Sequence, residues 1–253
     1  MSFEVAGDAY DRFMGRWSRP LAAKFVELAD ARPGRRALDV GCGPGALTAE
    51  LVDRLGQEAV AAADPSAAFV HALHERFPRV DARSASAEHL PWPDAGFDVA
   101  AAQLVVHFMT DPVAGLAEMA RVVRPGGIVT ACVWDHAGSG GPLADFWRAV
   151  HDLDPEAVGE SELPGTAEGQ LERLATAAGL RDVEGGRLSV SLHVDRFQDW
   201  WEPFTLGVGP AGDYVAGLDR SARERLLAHY AEVLPVAPFT LDAVAWTVRA
   251  RRR

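Results

Sequence analysis

Three glycines within five residues follow an acidic residue in this chain, in the segment Asp39-Val40-Gly41-Cys42-Gly43-Pro44-Gly45. The apolar residues before the glycines predict a buried strand. Leucines at every fourth position after them, Leu47, Leu51 and Leu55, predict a helix. A glycine turn between a strand and a helix brings backbone N–H groups and a helix N-terminus close to a ligand. We therefore expect a binding site at this turn.

The charges around the turn restrict the ligand. A dinucleotide site has the pattern Gly-x-Gly-x-x-Gly, whereas the spacing here is Gly-x-Gly-x-Gly, and no Gly-Lys-Ser/Thr follows. Asp39 would repel a pyrophosphate and favours a cationic ligand, although it could also simply cap the turn. Asp64 follows about 20 residues after the turn, where a carboxylate accepts hydrogen bonds from ribose hydroxyls. S-adenosylmethionine meets these demands, and a nicotinamide dehydrogenase is disfavoured.

The elements that must position these residues alternate regularly. Helical and extended patterns predict strands at about 36–40, 59–64, 80–84, 97–104 and 128–134, with helices at 46–55, 67–77 and 112–123. Such alternation predicts βαβ units and a parallel sheet with helices on both faces. Before it, Gly7 and Gly15 are expected to interrupt any helix, and the first helix is expected to begin near Ser18, with Pro20 in its first turn.

The pattern changes after residue 135, where we predict helices at 142–153, 167–178 and 221–234 and strands at about 190–194 and 239–248. We expect one domain over residues 1–253. Its parts are an arm and helix (1–35), a cofactor-binding half (36–134), and a substrate cover with C-terminal strands (135–253). The arm carries Phe3, Tyr10, Phe13 and Trp17, and the segments 136–175 and 196–235 are expected to be inserted covers.

Composition excludes several classes of function. The net charge of −11 and the pI of about 5.2 argue against nucleic acid or an anionic membrane as a partner. The basic tail, Arg249 to Arg253, is short and is expected to be solvated. Cys42 and Cys132 form no Cys-x-x-Cys pair, and no signal or membrane-spanning segment is visible. These features predict a cytoplasmic protein and leave its oligomeric state open.

Several motifs in one order resemble the class I S-adenosylmethionine-dependent methyltransferases, in the small-molecule group known as type 11. They are residues 38–48, Asp64-Pro65-Ser66, residues 87–92, Phe97-Asp98-Val99 and residues 121–127. The resemblance implies a Rossmann-like, doubly wound seven-stranded sheet whose last strand is antiparallel. It places S-adenosylmethionine across the carboxyl ends of strands 1 and 4, at the topological switch point.

The resemblance also implies residue roles. The methionine part would lie against the turn and Gln103, the ribose against Asp64, and the adenine against Pro65, Ser66, Ser86 and Ala87. An aromatic ring from the arm, Tyr10, would cover the cofactor, and Arg16 or Arg19 would pair with its carboxylate. The implied cofactor-binding set is Tyr10, Arg19, Asp39, Gly41, Cys42, Gly43, Asp64, Pro65, Ser66, Ser86, Ala87 and Gln103. The family usually has an acid where this chain has Ser86, whose hydroxyl can still accept a hydrogen bond from adenine. Cys42 itself is expected to be a small buried filler and not a nucleophile, because it lies in a turn with no base beside it.

The candidate catalytic residue is His107, which follows strand 4 at the mouth of the expected site and could act as a general base. His136 is a second candidate, and either could instead be structural. No acidic cluster suggests magnesium, so no metal is expected. Aromatic residues in the covers predict an apolar or aromatic small-molecule acceptor. A protein that binds S-adenosylmethionine without transferring methyl, as a regulator or a cyclase-like catalyst, is the alternative.

Overall fold

The structure, a computed structural model, describes residues 7–253. Phe3, one of the arm aromatics, lies outside the described residues. Among these residues seven strands form one sheet. They are β1 (Ala37–Val40), β2 (Val60–Asp64), β3 (Asp81–Ser84), β4 (Phe97–Gln103), β5 (Val123–Trp134), β6 (Arg181–Val194) and β7 (Phe239–Arg251).

The strand order is β3-β2-β1-β4-β5-β7-β6. The first five strands are parallel to their neighbours, and β7 pairs antiparallel with both β5 and β6. The predicted seven-stranded sheet with an antiparallel last strand is therefore confirmed. The order reverses between β1 and β4, so the carboxyl ends of these two strands flank the crevice in which doubly wound sheets bind ligands.

Helices cover both faces of this sheet and enclose two separate apolar cores. Neighbouring residues of a strand serve opposite faces: Ala37 belongs to one core and Leu38 to the other. The helices are α1 (Gly7–Tyr10), α2 (Arg16–Phe25), α3 (Ala46–Leu55), α4 (Ala67–Arg76), α5 (Pro112–Val122), α6 (Ala144–Leu153), α7 (Gln170–Ala177), α8 (Phe197–Trp201), α9 (Gly209–Gly217) and α10 (Arg220–Val233).

The expected helix break before Ser18 is wrong. Residues from Gly7 onward are helical, and a π-helical segment, Asp11–Gly15, joins α1 to α2. Gly15 packs closely against Asp11, since a Cβ atom there would lie 2.7 Å from the Asp11 carboxylate. Ser18 is buried inside α2, and Pro20 lies in the interior of that helix.

The C-terminal part departs from the prediction in several places. β6 begins at Arg181 and not near residue 190, and the helix α8 was not predicted. β5 begins at Val123 and not near residue 128. The Gly126 N–H donates to the Arg252 carbonyl, so residues 125–127, which were expected to lie between a helix and a strand, are part of the sheet. The basic tail is not a solvated end. Arg249 donates to the Leu28 carbonyl and Arg251 to the Gly126 carbonyl, as part of β7. Helix α9 was not predicted, since Gly209 and Pro210 at its start resemble loop residues. Within residues 7–253, every helix is too short or too polar to span a bilayer.

Candidate active site

The glycine turn after β1 is held by backbone hydrogen bonds to β2. The N–H groups of Gly41 and Cys42 donate to the Ala63 carbonyl, at 2.7 and 3.0 Å. Gly41 has φ +70°, and a Cβ atom there would lie 2.3 Å from the Val105 side chain. Gly43 also has a positive φ, of +50°, but a Cβ there would meet nothing within 4 Å. The turn therefore packs tightly at Gly41 and leaves open space at Gly43.

Asp39 lies beneath this turn. Its side chain is buried and accepts a hydrogen bond from the Thr48 hydroxyl at 2.6 Å, which ties β1 to the first turn of α3. Burial raises the pKa of Asp39 to about 7, and the nearby negative charge of Asp64 acts in the same direction, while the Thr48 hydrogen bond opposes them. Asp39 thus caps the turn, and it is not among the residues that line the cleft above it.

Asp64 ends β2 and faces the same turn. One carboxylate oxygen accepts from the Gly43 N–H at 2.9 Å, and the other accepts from the Ser66 N–H at 2.9 Å. Burial raises its pKa, and the two backbone donors oppose that effect. Each oxygen keeps a lone pair beyond its backbone bond, so the carboxylate can accept hydrogen bonds from a diol.

A continuous cleft, here called the strand-end cleft, follows the carboxyl ends of β1, β2 and β4. It consists of two cavities of about 510 and 790 Å³ that share Gly41, Pro65, Val105 and Phe108. Eight of the predicted cofactor residues line it: Tyr10, Gly41, Gly43, Asp64, Pro65, Ser86, Ala87 and Gln103.

Four predicted residues are not part of that lining. Besides Asp39, Cys42 packs in the core, and burial raises its thiol pKa well above the ordinary value. Ser66 caps the N-terminus of α4 through its side chain. Arg19 forms an exposed ion pair with Asp11. The alternative, Arg16, donates to the Phe13 and Trp200 carbonyls and stacks on the Trp200 ring.

The far end of the cleft combines Ser86 with a carboxylate. Ser86 hydrogen-bonds to Glu88, whose carboxylate also accepts from the Thr110 N–H at 2.9 Å, and these bonds help to keep the pKa of Glu88 low. Because the Ser86 proton is used in this bond, the lone pairs of its oxygen can accept a hydrogen bond from an amino group.

The end of β4 supplies an unpaired acceptor. The Gln103 amide nitrogen donates to the Ser18 carbonyl at 2.9 Å, whereas its Oε1 is buried and has no hydrogen-bond partner among residues 7–253. The next residue, Leu104, has φ +61°, a conformation that costs a residue with a side chain about 1–2 kcal/mol. This strained turn leads directly into the 3-10 helix Val106–Phe108 that carries His107.

A second cavity, here called the histidine cavity, adjoins the strand-end cleft and shares Tyr10, Leu104 and Phe108 with it. Its volume is about 440 Å³, which includes space open to solvent. Most of its wall is apolar, with Phe13, Met14, Trp134, Leu143, Val208 and Ala211. Val208 and Ala211 come from the start of α9, so the helix that the sequence did not predict forms part of the cavity.

Besides Tyr10, three ionisable side chains line the histidine cavity: His107, His136 and Glu160. His107 is buried, and its Nδ1 has no hydrogen-bond partner among the described residues. Burial, with a smaller effect of His136, lowers the pKa of His107 well below its ordinary value. Both predicted histidine candidates therefore meet in one cavity, with ring centres 5.9 Å apart.

Glu160 was not predicted. Glu160 lies in the loop between α6 and α7. From the sequence alone, this loop is only an acidic segment that is expected to be exposed to solvent. In the structure its side chain is buried, and its Oε2 accepts from the Trp147 indole N–H at 3.0 Å. Burial raises the pKa of Glu160 to about 7 and lowers that of His136 to about 4. His136 is therefore uncharged at neutral pH. Although its Nε2 lies 4.0 Å from Glu160 Oε1, the two residues do not form a strong ion pair.

Comparison with known proteins identifies the family. Residues 38–131 match the model of a methyltransferase domain. This segment is a methyltransferase domain of the class I S-adenosylmethionine-dependent group. This matched segment contains the glycine turn, Asp64, Ser86, Gln103 and His107. Apart from Tyr10, the residues that line the strand-end cleft all lie in this matched segment.

Curated relatives resemble part of this chain. A malonyl-[acyl-carrier protein] O-methyltransferase from Serratia marcescens is 30% identical over 149 residues, which are 59% of this chain and 57% of that protein. The chain thus spans little more than half the length of this relative.

Solved structures resemble the chain over nearly all of its length. A phosphoethanolamine N-methyltransferase 2 from Haemonchus contortus, solved with S-adenosylhomocysteine, has a TM-score of 0.59 at 17% identity. That match covers 97% of this chain and 56% of the other. A [4+2]-cyclase has a TM-score of 0.56 at 22% identity, covering 92% of this chain and 80% of the other. At these identities the likeness shows the fold alone.

The residues of the strand-end cleft fit the family's cofactor. The Asp64 carboxylate suits the ribose diol, the open space at Gly43 admits the methionine part, and the unpaired Oε1 of Gln103 offers an acceptor to its ammonium group. With Arg16 and Arg19 engaged elsewhere, neither arginine is in position to bind the cofactor carboxylate in this conformation.

Proposed function

We propose that this protein transfers the methyl group of S-adenosylmethionine to an oxygen, nitrogen or carbon nucleophile of a small, largely apolar acceptor. The observation that carries the proposal is the adjacency of two different cavities. The strand-end cleft has a polar lining suited to a nucleoside, whereas the histidine cavity is mainly apolar, and Tyr10, Leu104 and Phe108 belong to both. A methyl group can pass between two such ligands only if their reacting atoms meet at this boundary.

The cofactor would lie with its ribose at Asp64, its adenine between Pro65 and the Ser86-Ala87 end, and its methionine part between Gly43 and Gln103. Tyr10, whose ring packs edge-on against Phe69 at 5.6 Å, would cover the sulfonium at the boundary. Asp39 would act on the cation through its charge from beneath the turn, without touching the cleft.

Methyl transfer is an in-line displacement in which the nucleophile attacks the methyl carbon as the carbon–sulfur bond breaks. The protein's main task is to align the three atoms in a cavity that excludes water. The apolar wall of the histidine cavity supports that exclusion. His107 is the proposed catalytic residue, because it lines this cavity and has an unpaired ring nitrogen. The two buried, free cysteines support function in a reducing compartment, which we propose to be the cytoplasm.

The experiment combines S-adenosylhomocysteine calorimetry with a transfer assay that uses methyl-labelled S-adenosylmethionine and a panel of apolar and aromatic acceptors. We expect S-adenosylhomocysteine to bind, NAD not to bind, and the label to reach at least one acceptor. Binding without transfer across the panel would favour a non-methylating role such as that of the cyclase with the same fold. Absence of S-adenosylhomocysteine binding would overturn both the proposed methyl transfer and the non-methylating alternative.

A variant tests the catalytic residue. His107→Ala is expected to lower turnover by roughly 10²–10⁴-fold, because an activating group is removed from the acceptor side. Calorimetry should show unchanged affinity for S-adenosylhomocysteine, since His107 lines only the histidine cavity of the two sites. Undiminished turnover would remove His107 from the mechanism.

A further inference from the structure

His107, His136 and Glu160 form a compact group of possible metal ligands. Each offers one ligand atom, and these atoms all lie within 4.8 Å of one another. The three residues come from separate parts of the chain: the turn after β4, the turn after β5, and the loop between α6 and α7. Each side chain is more than nine-tenths buried. The fold therefore concentrates three polar groups at one point in an otherwise apolar wall.

These groups do not satisfy one another. The His107 Nδ1 has no hydrogen-bond partner among the described residues, and 4.0 Å separates His136 Nε2 from Glu160 Oε1, which is too far for a hydrogen bond. Buried polar groups without partners are costly. A cation between the three side chains would supply the partner that the His107 Nδ1 lacks among the described residues.

The donor set is one that transition metals use. Two imidazoles and one carboxylate with open positions hold zinc or iron in many catalytic sites. Zinc bonds of about 2.0–2.2 Å place tetrahedral ligands roughly 3.3–3.5 Å apart. The His136–Glu160 pair would therefore need to close by less than about 1 Å.

The surroundings provide the support that a metal site needs. The Trp147 indole N–H fixes Glu160 Oε2, which leaves Oε1 on the side of His136, and such hydrogen bonds orient ligating carboxylates. His136 follows Asp135, whose carboxylate accepts from the Gly138 N–H and anchors the loop. An outer cavity of about 870 Å³ is also lined by His136 and Glu160, so an ion has a route from the other side.

We infer that His107, His136 and Glu160 bind one divalent transition-metal ion, with zinc as the probe, and that the methyl acceptor is an apolar molecule whose oxygen ligates this ion. The inference rests on the proposed function for the acceptor and on geometry alone for the metal. When the acceptor hydroxyl binds, its proton is released to solvent. The oxygen then attacks the methyl carbon, and the electron pair of the broken carbon–sulfur bond stays on sulfur, giving S-adenosylhomocysteine. In this role His107 is a ligand and not a proton acceptor.

The test uses the untagged full chain, freed of metal with a chelator and titrated with zinc by calorimetry, with bound metal counted after gel filtration. We expect one zinc per chain. We also expect at least tenfold weaker binding in both His136→Ala and Glu160→Gln, because each loses one of three ligands. The control is His151→Ala, an exposed histidine on the outer cavity, which should bind zinc like the wild type.

Two further measurements separate the possible failures. Cobalt(II) in place of zinc should give visible absorption bands that the two ligand variants lose. S-adenosylhomocysteine calorimetry on each variant shows whether it is folded and tests the cofactor site independently. A wild type that retains no zinc overturns the inference even if it binds S-adenosylhomocysteine. Zinc binding that survives in both ligand variants equally overturns it, because the ion must then lie elsewhere.

Discussion

The Asp64 carboxylate performs two tasks at the residue scale. It holds the glycine turn through the Gly43 N–H and the start of α4 through the Ser66 N–H, and it lines the cleft in which we place the ribose. These tasks are compatible because a carboxylate can accept about four hydrogen bonds. Because its two backbone hydrogen bonds already hold the Asp64 carboxylate in place, this side chain needs little rearrangement when the ligand binds.

Replacing this carboxylate should weaken cofactor binding. Asp64→Asn removes the charge and one acceptor oxygen, so we expect the affinity for S-adenosylhomocysteine to fall by ~1.5–3 kcal/mol, the usual range for a hydrogen bond to a charged group. Calorimetry measures this directly. Asp53→Asn, an exposed position on α3, is the matched control and should change nothing. Equal affinities for the wild type and the Asp64 variant would exclude Asp64 from the ribose site.

Asp39 should make stability depend on pH. In the folded chain its pKa is about 7, whereas in the unfolded chain it is about 3.9. Between these values the folded state holds a proton that the unfolded state has lost. The contribution of Asp39 to stability therefore falls as pH rises from about 4 to 7 and stays low above that.

Asp39→Asn removes this pH dependence and keeps an oxygen that can accept the Thr48 hydrogen bond. Between pH 5 and pH 8, the free energy of unfolding of the variant should therefore rise by about 3 kcal/mol relative to that of the wild type, which means that the variant becomes relatively more stable. Urea denaturation at the two pH values measures the difference. If the gap between variant and wild type is the same at both, Asp39 is ionised throughout and its burial does not control its charge.

The residues that could be predicted from the sequence were those marked by local spacing. Asp64 was found because it stands at a fixed distance from the glycine turn, and Ser86 and Gln103 because family motifs surround them. Glu160 could not be found, because nothing in its neighbourhood differs from a solvated loop. Its role arises only when α6 brings Trp147 beside it. Asp39 was predicted at the turn, but the sequence does not show on which side of the turn its carboxylate lies.

At the scale of elements, α8 and α10 are joined by one buried hydrogen bond. The Trp200 indole N–H donates to the Tyr230 hydroxyl at 2.7 Å, and both side chains are fully buried in the aromatic core beside Phe204. Both helices lie in the segment between β6 and β7. The bond fixes how this segment packs on the sheet, and therefore how α9 reaches the histidine cavity.

Tyr230→Phe should destabilise the fold because it leaves the Trp200 N–H buried without an acceptor. We expect a loss of about 1–3 kcal/mol in the free energy of unfolding, measured by urea denaturation. Tyr214→Phe is the matched control. The Tyr214 hydroxyl donates to Asp154 at 3.2 Å in a partly exposed position, so water can replace it and the loss should be below about 1 kcal/mol. Similar losses of unfolding free energy in the two variants would show that the buried Trp200–Tyr230 hydrogen bond stabilises the fold no more than the partly exposed one.

Elements bounded by glycine or proline could be predicted to within a residue or two, as α3 and α5 show. Elements whose boundaries depend on tertiary contacts could not. In the π-helical segment Asp11–Gly15, Gly15 packs closely against Asp11, and the early start of β5 depends on its pairing with β7. Glycine and proline end a helix or strand only where no contact with a distant strand or helix stabilises its continuation.

At the scale of the whole molecule, the order of the strands makes the outer strand β6 depend on the C-terminal strand β7. β7 is last in sequence but lies between β5 and β6, so the outer strand β6 is joined to the sheet only through the C-terminal strand. α2, near the other end of the chain, packs against β6. The predicted cofactor-binding half and substrate cover thus share strand pairs and cores, and neither encloses a core without the other.

This interdependence predicts a single cooperative unfolding transition for residues 1–253. Calorimetry should give one peak whose van't Hoff and calorimetric enthalpies agree. S-adenosylhomocysteine at 100 times its dissociation constant should stabilise the folded state by about 2.7 kcal/mol and move that single peak upward by about 5–10 °C. NAD at the same concentration is the control and should leave the peak in place. Two peaks, of which only one moved with S-adenosylhomocysteine, would instead mean that the cofactor half and the cover are separate domains. In that case the histidine cavity, whose wall combines residues after β4 with residues of α9, would be an interface between domains and not the interior of one.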